Sequence, residues 1–462
     1  MVENTTADKF QIASEKKAFD REHRKTIKFN ISRYDIAVEK GKKQYCNLEL
    51  AKQKAANIKN KTIDNLEKNL IDFEANFTRR GGKVIWAVDT EDAIRQILEI
   101  LEKANAKKIV KSKSMVTEEI DFNEHFEKKG FEVLETDLGE FIVQLCGEKP
   151  YHIITPVMHR NKKEIAEIFN KKYNLPIEST PEEITKFVRN LLREKFVNAD
   201  VGITGGNFLI VDIGAVALTE NEGNGVMSVS FPKIHIAITG IEKLIPSIND
   251  LDLFWPLLST HGTGQYITAY NSIITGPRQE GESDGPEEMY VVLIDNNRSE
   301  LLKKPEQRRA LSCIRCGACL NGCPVYKNIG GHTYSTTYSG PIGSVISPFL
   351  RGFENYKHLS YASTLCGKCT EVCPVKINLH KLLLYNRRDS VESGYAKKSE
   401  KFTMFVYKKA MLNRWLIEKG GYKIKNYAIR KFFSKAWGSR RDVPQLMPKS
   451  FNRLWKEKQG IK

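Results

Sequence analysis

The sequence predicts an α/β domain on a parallel sheet, then an all-helical ferredoxin domain, then a basic helical tail. Three observations carry this reading. Short apolar runs alternate with amphipathic stretches between residues 80 and 295. Seven of the nine cysteines crowd between Cys313 and Cys373. From Lys397 to Lys462 there are 19 Lys/Arg against four acidic residues, nearly all of the +17 formal charge.

The chain has 462 residues, against a usual domain of roughly 100–200, so several domains are expected. With 41% hydrophobic and 28% charged residues, a disordered or fibrous chain is excluded. No apolar run approaches the roughly 18–20 residues that span a bilayer. Met1-Val2-Glu3-Asn4 does not open a secretory signal. A cytoplasmic location is expected, where clustered cysteines point to metal or redox chemistry rather than disulfides.

Residues 1–79 are Lys-rich and free of proline, which reads as helices packed on the next domain. After Gly81-Gly82, the run Lys83–Val88 reads as a buried strand. Thr90 can cap a helix whose apolar face is Ile94, Ile97, Leu98 and Leu101. Strands are expected again at Lys108–Val110 and Phe131–Leu134, giving a βαβ unit. Further strands are expected at 201–206, 208–211, 215–219, 226–229, 233–238 and 289–294. Residues 80–295 therefore read as one α/β domain.

Residues 296–395 hold the cysteine block. Cys313, Cys316, Cys319 and Cys323-Pro324 have the bacterial ferredoxin spacing C-x2-C-x2-C-x3-C-P. Three thiolates on one tight turn reach three corners of an iron–sulfur core, and the fourth serves the other core. Cys366, Cys369 and Cys373-Pro374 repeat the pattern, with Ser363 where its first cysteine would stand. By the crossed rule one cluster takes Cys313, Cys316, Cys319 and Cys373, and the other takes Cys366, Cys369 and Cys323. A zinc site would need only four ligands and leaves the triple run unexplained. The first cluster reads as 4Fe-4S. The second is open between 3Fe-4S and 4Fe-4S, with Ser363, another ligand or an open iron at the fourth position. His332 is a further candidate ligand or proton carrier. The spacing between the two halves suits a helical ferredoxin, with a helix expected over Leu379–Leu384. No dinucleotide-binding glycine fingerprint follows a strand.

The chain resembles the lactate-utilisation iron–sulfur protein B family along nearly its whole length. The resemblance rests on Lys113–Ile120, Gly202–Asn207, Thr219–Gly225, His261–Gln265, the Cys313 block, Gly331-His332, Gly340–Gly343 and Leu365–Val375. It implies a fold over 80–295 similar to sugar-phosphate isomerases and CoA transferases. It also implies electron transfer in the oxidation of L-lactate to pyruvate, with subunits A and C as partners. Ser363 departs from the general two-cluster ferredoxin.

In the α/β domain, Lys111, Lys113, Ser114, Glu118, Glu119, Glu220, Glu222 and His261 lie near strand ends or glycine loops, where such sheets bind ligands. Lys113 or Lys111 could pair with a carboxylate, and Glu220 or Glu222 could act as a base. Lys113, Glu220, Glu222 and His261 are the candidate catalytic residues.

Residues 396–462 form the tail. A stripe of Met404, Phe405, Tyr407, Lys408, Met411, Leu412 and Trp415 reads as an amphipathic helix for a partner groove, or for the inner face of a membrane. No nucleic-acid partner is expected. The reading is an electron-transfer subunit rather than a full enzyme. Its rivals are a self-contained hydroxy-acid oxidoreductase using the incompletely ligated cluster, and a non-redox binding or regulatory module.

Overall fold

Four helices form the N-terminal region: Thr6–Phe19, Arg21–Gly41, Leu48–Asp64 and Leu66–Arg79. Side chains of Thr5, Asp20 and Asn47 cap the first three by accepting backbone N–H groups. The last three bury apolar residues, with Ile27, Phe73 and Phe77 wholly inaccessible, whereas the first buries none of its residues. This computed structural model describes residues 5–461, except 414, 416–418, 439 and 440.

Ten strands follow: β1 (Lys83–Ala87), β2 (Lys108–Lys111), β3 (Glu132–Glu135), β4 (Val201–Thr204), β5 (Phe208–Ile210), β6 (Ala215–Glu220), β7 (Ile234–Gly240), β8 (Leu244–Ile245), β9 (Tyr270–Ile274) and β10 (Glu288–Ile294). Six of them form an all-parallel sheet in the order β1-β10-β7-β4-β2-β3. The interior strand β10, next to the edge strand β1, places Val291 between Val84 and Ala237, and all six of its residues from Met289 to Ile294 are buried. A fully apolar run is what a strand covered on both faces requires. The other four strands form a mixed sheet, β8-β5-β6-β9.

One expected strand is a helix. Val226–Val229 lies in the helix Asn224–Ser230. The Glu220 carboxylate accepts the N–H groups of Gly225 at 2.7 Å and Val226 at 2.9 Å, so it caps a helix that a short apolar run does not announce. Strands β8 and β9 were not anticipated.

The cysteine block is built from short helices, among them Ala318–Asn321, Pro324–Ile329, Gly340–Arg351 and Lys368–Glu371, closed by Leu379–Glu392. One continuous core joins Ile27 and Phe73 of the N-terminal helices, Phe208 and Leu293 of the two sheets, and Cys316, Leu320 and Leu382 of the cysteine block. Residues 1–390 form one unit and residues 391–462 a second.

The second unit contains the helices Lys398–Met411, Tyr422–Trp437 and Phe451–Gln459. The expected stripe is exposed at Met404, Phe405, Tyr407, Met411, Leu412 and Trp415. Its helix ends at Met411, so Leu412 and Trp415 lie past it. Among the described residues, no helix is long and apolar enough to cross a membrane.

Candidate metal centre and adjoining cavity

The two halves of the cysteine block repeat one backbone design. Arg315 (φ 60°) and Gly317 (φ 75°) flank Cys316, and Leu365 (φ 53°) and Gly367 (φ 80°) flank Cys366. Each left-handed glycine opens a short helix, Ala318–Asn321 in the first half and Lys368–Glu371 in the second. The Arg315 N–H donates to Cys313 Sγ at 3.4 Å, and the Leu365 N–H donates to Ser363 Oγ at 3.1 Å. Ser363 thus occupies in the second half the backbone position that Cys313 occupies in the first.

The seven thiols separate into two groups. Cys313, Cys316, Cys319 and Cys373 line one small cavity with Ile314, Arg315 and Ile342. Burial, then the charge of Cys313 and its companions, pushes the Cys316 and Cys319 thiols up. Burial pushes Cys373 up to about 12. Cys323, Cys366 and Cys369 form the second group. Burial, then Cys323, pushes Cys369 up to about 11. Cys366 is exposed, and its thiol is lowered by the Lys368 backbone N–H.

These donors fit iron–sulfur cores. Four thiols converging in an apolar pocket are unstable as thiolates unless a cationic core supplies the opposing charge. A matching donor lies beside them. The Arg315 guanidinium stacks over Tyr338 at 4.4 Å and gives Nη2 to Glu242 Oε1 at 3.2 Å. Its buried Nε and Nη1 have no partner among the described residues.

Arg315 and Ile153 also line a second, larger cavity of about 360 Å³. Its walls come from the carboxyl ends of the parallel strands. Ser112, Lys113 and Ser114 follow β2, Asp137 follows β3, Gly205, Gly206 and Asn207 follow β4, and Lys243 follows β7. The loop after β4 approaches closely because Gly205 has no Cβ, which would lie 2.8 Å from Ser114 Oγ. Thr219, Glu220, Asn221 and Glu222 complete another side. Asn221 and Gln265 exchange amide hydrogen bonds of 3.0 and 2.9 Å, joining two segments distant in sequence.

Of the candidate residues, Lys113, Ser114, Glu220 and Glu222 line this cavity. Desolvation, then nearby Asp137, pushes Glu222 up to about 7. His261 is buried in the helix Leu251–Thr263, with Nδ1 2.9 Å from Leu257 O, and does not line the cavity. Lys111 is buried 2.7 Å from Glu135 and 3.3 Å from Glu118. Glu119 is held by Arg298. His332 Nε2 lies 2.7 Å from Lys149 O, and its ring packs near His159 and Glu148. Sequence reasoning missed Arg315 and Lys243. For Arg315, the available signal was a charged residue inside the cysteine run.

Residues 70–294 match the LUD domain, and residues 309–377 match the 4Fe-4S dicluster domain, so the chain carries a two-cluster iron–sulfur domain. A Bacillus cytotoxicus protein named lactate utilization protein B is 44% identical over 89% of this chain and 89% of its own length. Its Bacillus velezensis namesake is 47% identical over 78% of this chain and 76% of its own. A duf162 family protein from Deinococcus radiodurans overlaps 50% of the chain and 98% of its own at 12% identity and a TM-score of 0.28, too slight to bear on the fold. Identity at this level across most of both sequences means that the chain belongs to the lactate utilization protein B family.

Proposed function

We propose that the chain is the iron–sulfur electron-transfer subunit of a system that oxidises L-lactate to pyruvate, working with lactate-utilisation subunits A and C. The observation that carries this is the separation of seven thiols into two groups, each drawing one cysteine from the opposite half of the block. Cys313, Cys316, Cys319 and Cys373 hold the first core, and Cys366, Cys369 and Cys323 the second, with Ser363 Oγ at the second's remaining position. When bound, such cores accept and pass on single electrons. The names of the relatives supply the lactate-utilisation context.

The chain's own residues seat and insulate the cores. Ile314, Ile342, Val375 and Ile377 exclude water from the first, and Arg315 supplies positive charge beside it. Exposed Cys366 brings the second toward solvent, where a partner protein can collect electrons. The basic, aromatic-rich tail docks the chain on a partner subunit, with the inner membrane face as the second choice.

The test is anaerobic purification, iron and sulfide analysis, and a redox titration followed by EPR. Two reversibly reducible clusters are expected. The chain alone should not turn over L-lactate with an artificial dye, whereas subunits A and C should restore turnover. Turnover by the isolated chain would instead favour a self-contained hydroxy-acid oxidoreductase. Clusters that cannot be reduced would favour a non-redox binding module.

A further inference from the structure

The larger cavity takes no part in holding the thiols, yet its wall is chemically specialised. Lys243 is 8% exposed and lines it, and its ammonium makes no hydrogen bond or ion pair with any described residue. An ammonium that faces this cavity without an acceptor on its wall is suited to a negative group from outside the chain. The Arg315 side chain, 9% exposed, lines the same cavity, and Lys113 adds a third cation.

Another part of the lining is acidic. Both Glu220 oxygens accept backbone N–H groups, from Gly225 and Val226. Glu222 Oε2 accepts the Leu138 N–H at 3.0 Å, which leaves its other oxygen open. Thr219 and Asn221 stand beside them. Carboxylates repel a second anion and attract a hydroxyl donor. At about 360 Å³ the cavity is at the small end of ligand sites.

We propose that this cavity binds a small hydroxy acid, with its carboxylate against Lys243 and Arg315 and its hydroxyl toward Glu220 and Glu222, and that occupancy tunes the neighbouring cluster. The second half rests on the cluster assignment proposed above. Lys243 and Arg315 both interact electrostatically with Cys313. A one-electron reduction adds negative charge beside the two cations. An anion that neutralises them favours the oxidised cluster, so it binds that state more tightly and lowers the midpoint potential.

The test uses anaerobically purified holoprotein with measured iron content. L-lactate, glycolate, propionate and inorganic phosphate are titrated by calorimetry, and the potential is followed by EPR with and without L-lactate. Both hydroxy acids should bind, with propionate at least tenfold weaker than L-lactate. Lys243→Met should weaken L-lactate at least tenfold, and Lys243→Arg should retain it. A tenfold preference for the oxidised state lowers the potential by about 59 mV for one electron. Should Lys243→Met lose iron, Lys113→Gln gives the second reading, with weaker binding expected. No binding by iron-loaded protein, binding of phosphate but not hydroxy acids, binding indifferent to these variants, or an unmoved potential overturns the proposal. Absence of iron would instead sink the cluster reading, while calorimetry would still report on the cavity.

Discussion

Arg298 grips Glu119 with two parallel hydrogen bonds, Nη1 to Oε1 at 2.8 Å and Nη2 to Oε2 at 2.7 Å, and both side chains are 1% exposed. Arg298 Nε also reaches Glu242 Oε2 at 2.7 Å, and the Tyr338 hydroxyl donates to Glu119 Oε2 at 2.7 Å. The network binds the helix Met115–Glu119, which follows β2, to the segment leading into the cysteine block. Removing Arg298 strips buried Glu119 of its ion-pair partner and leaves buried Glu242 to Arg315. Arg298→Met should therefore destabilise the protein by about 3–5 kcal/mol, read as a lower midpoint in chemical denaturation. A change below about 1 kcal/mol would show that the network relaxes or takes in water.

Ser363 and Cys313 share one backbone design, so a thiol at 363 should sit where a cluster ligand belongs. Ser363→Cys is expected to give a second cluster with four thiolates, gaining iron if the wild-type core has three irons. EPR of oxidised protein checks this, because a three-iron signal present in the wild type should vanish. Ser363→Ala should lower the occupancy of the second cluster and leave the first intact. Unchanged spectra in both variants would mean that the hydroxyl only caps Leu365.

Buried histidines set an acid limit on stability. Burial lowers His152 and His235 from 6.5 to about 3, and His159 and His261 to about 4. Above pH 6.5 folded and unfolded chains both hold these rings neutral. Below it the unfolded chain takes up protons that the folded chain refuses, so stability falls from pH 6.5 toward the folded values. Each ring contributes a slope of about 1.4 kcal/mol per pH unit in that window. His235 is wholly buried 2.8 Å from Thr204 Oγ1. His235→Gln keeps a partner for that hydroxyl, and its thermal midpoint should fall less steeply than wild type between pH 6.5 and 5. Parallel curves would show that the ring is not the titrating group.

The helices Lys398–Met411 and Phe451–Gln459 bury none of their residues. Ending the chain at Ser390 should therefore preserve iron content and thermal midpoint. Co-sedimentation with anionic vesicles, if the full chain shows it, should be lost on truncation and weakened by salt. Binding that survives truncation would move the contact surface into residues 1–390.

Much of the architecture could be read directly. Val291 and its neighbours form an uninterrupted apolar run because their strand is covered on both faces, and the Cys313 spacing announces a cofactor without any fold. What escaped depended on partners far along the chain. The helix at Val226 exists because Glu220 caps it, and β9 is an edge strand with none of its five residues buried. Glu119 looked like a ligand-binding residue, but its partner Arg298 lies 179 positions away. Lys243 carries no motif at all, and only the placement of β7 brings it to the cavity.

The continuous interior joining the N-terminal helices, both sheets and the cysteine block bears on protein engineering. Splicing the cofactor-bearing portion onto another scaffold near residue 295 would strip Leu320 and Leu382 of the neighbours that shield them. A workable chimera would have to carry the opening helices along with the graft, and exchange of parts among relatives is confined to the region after Ser390.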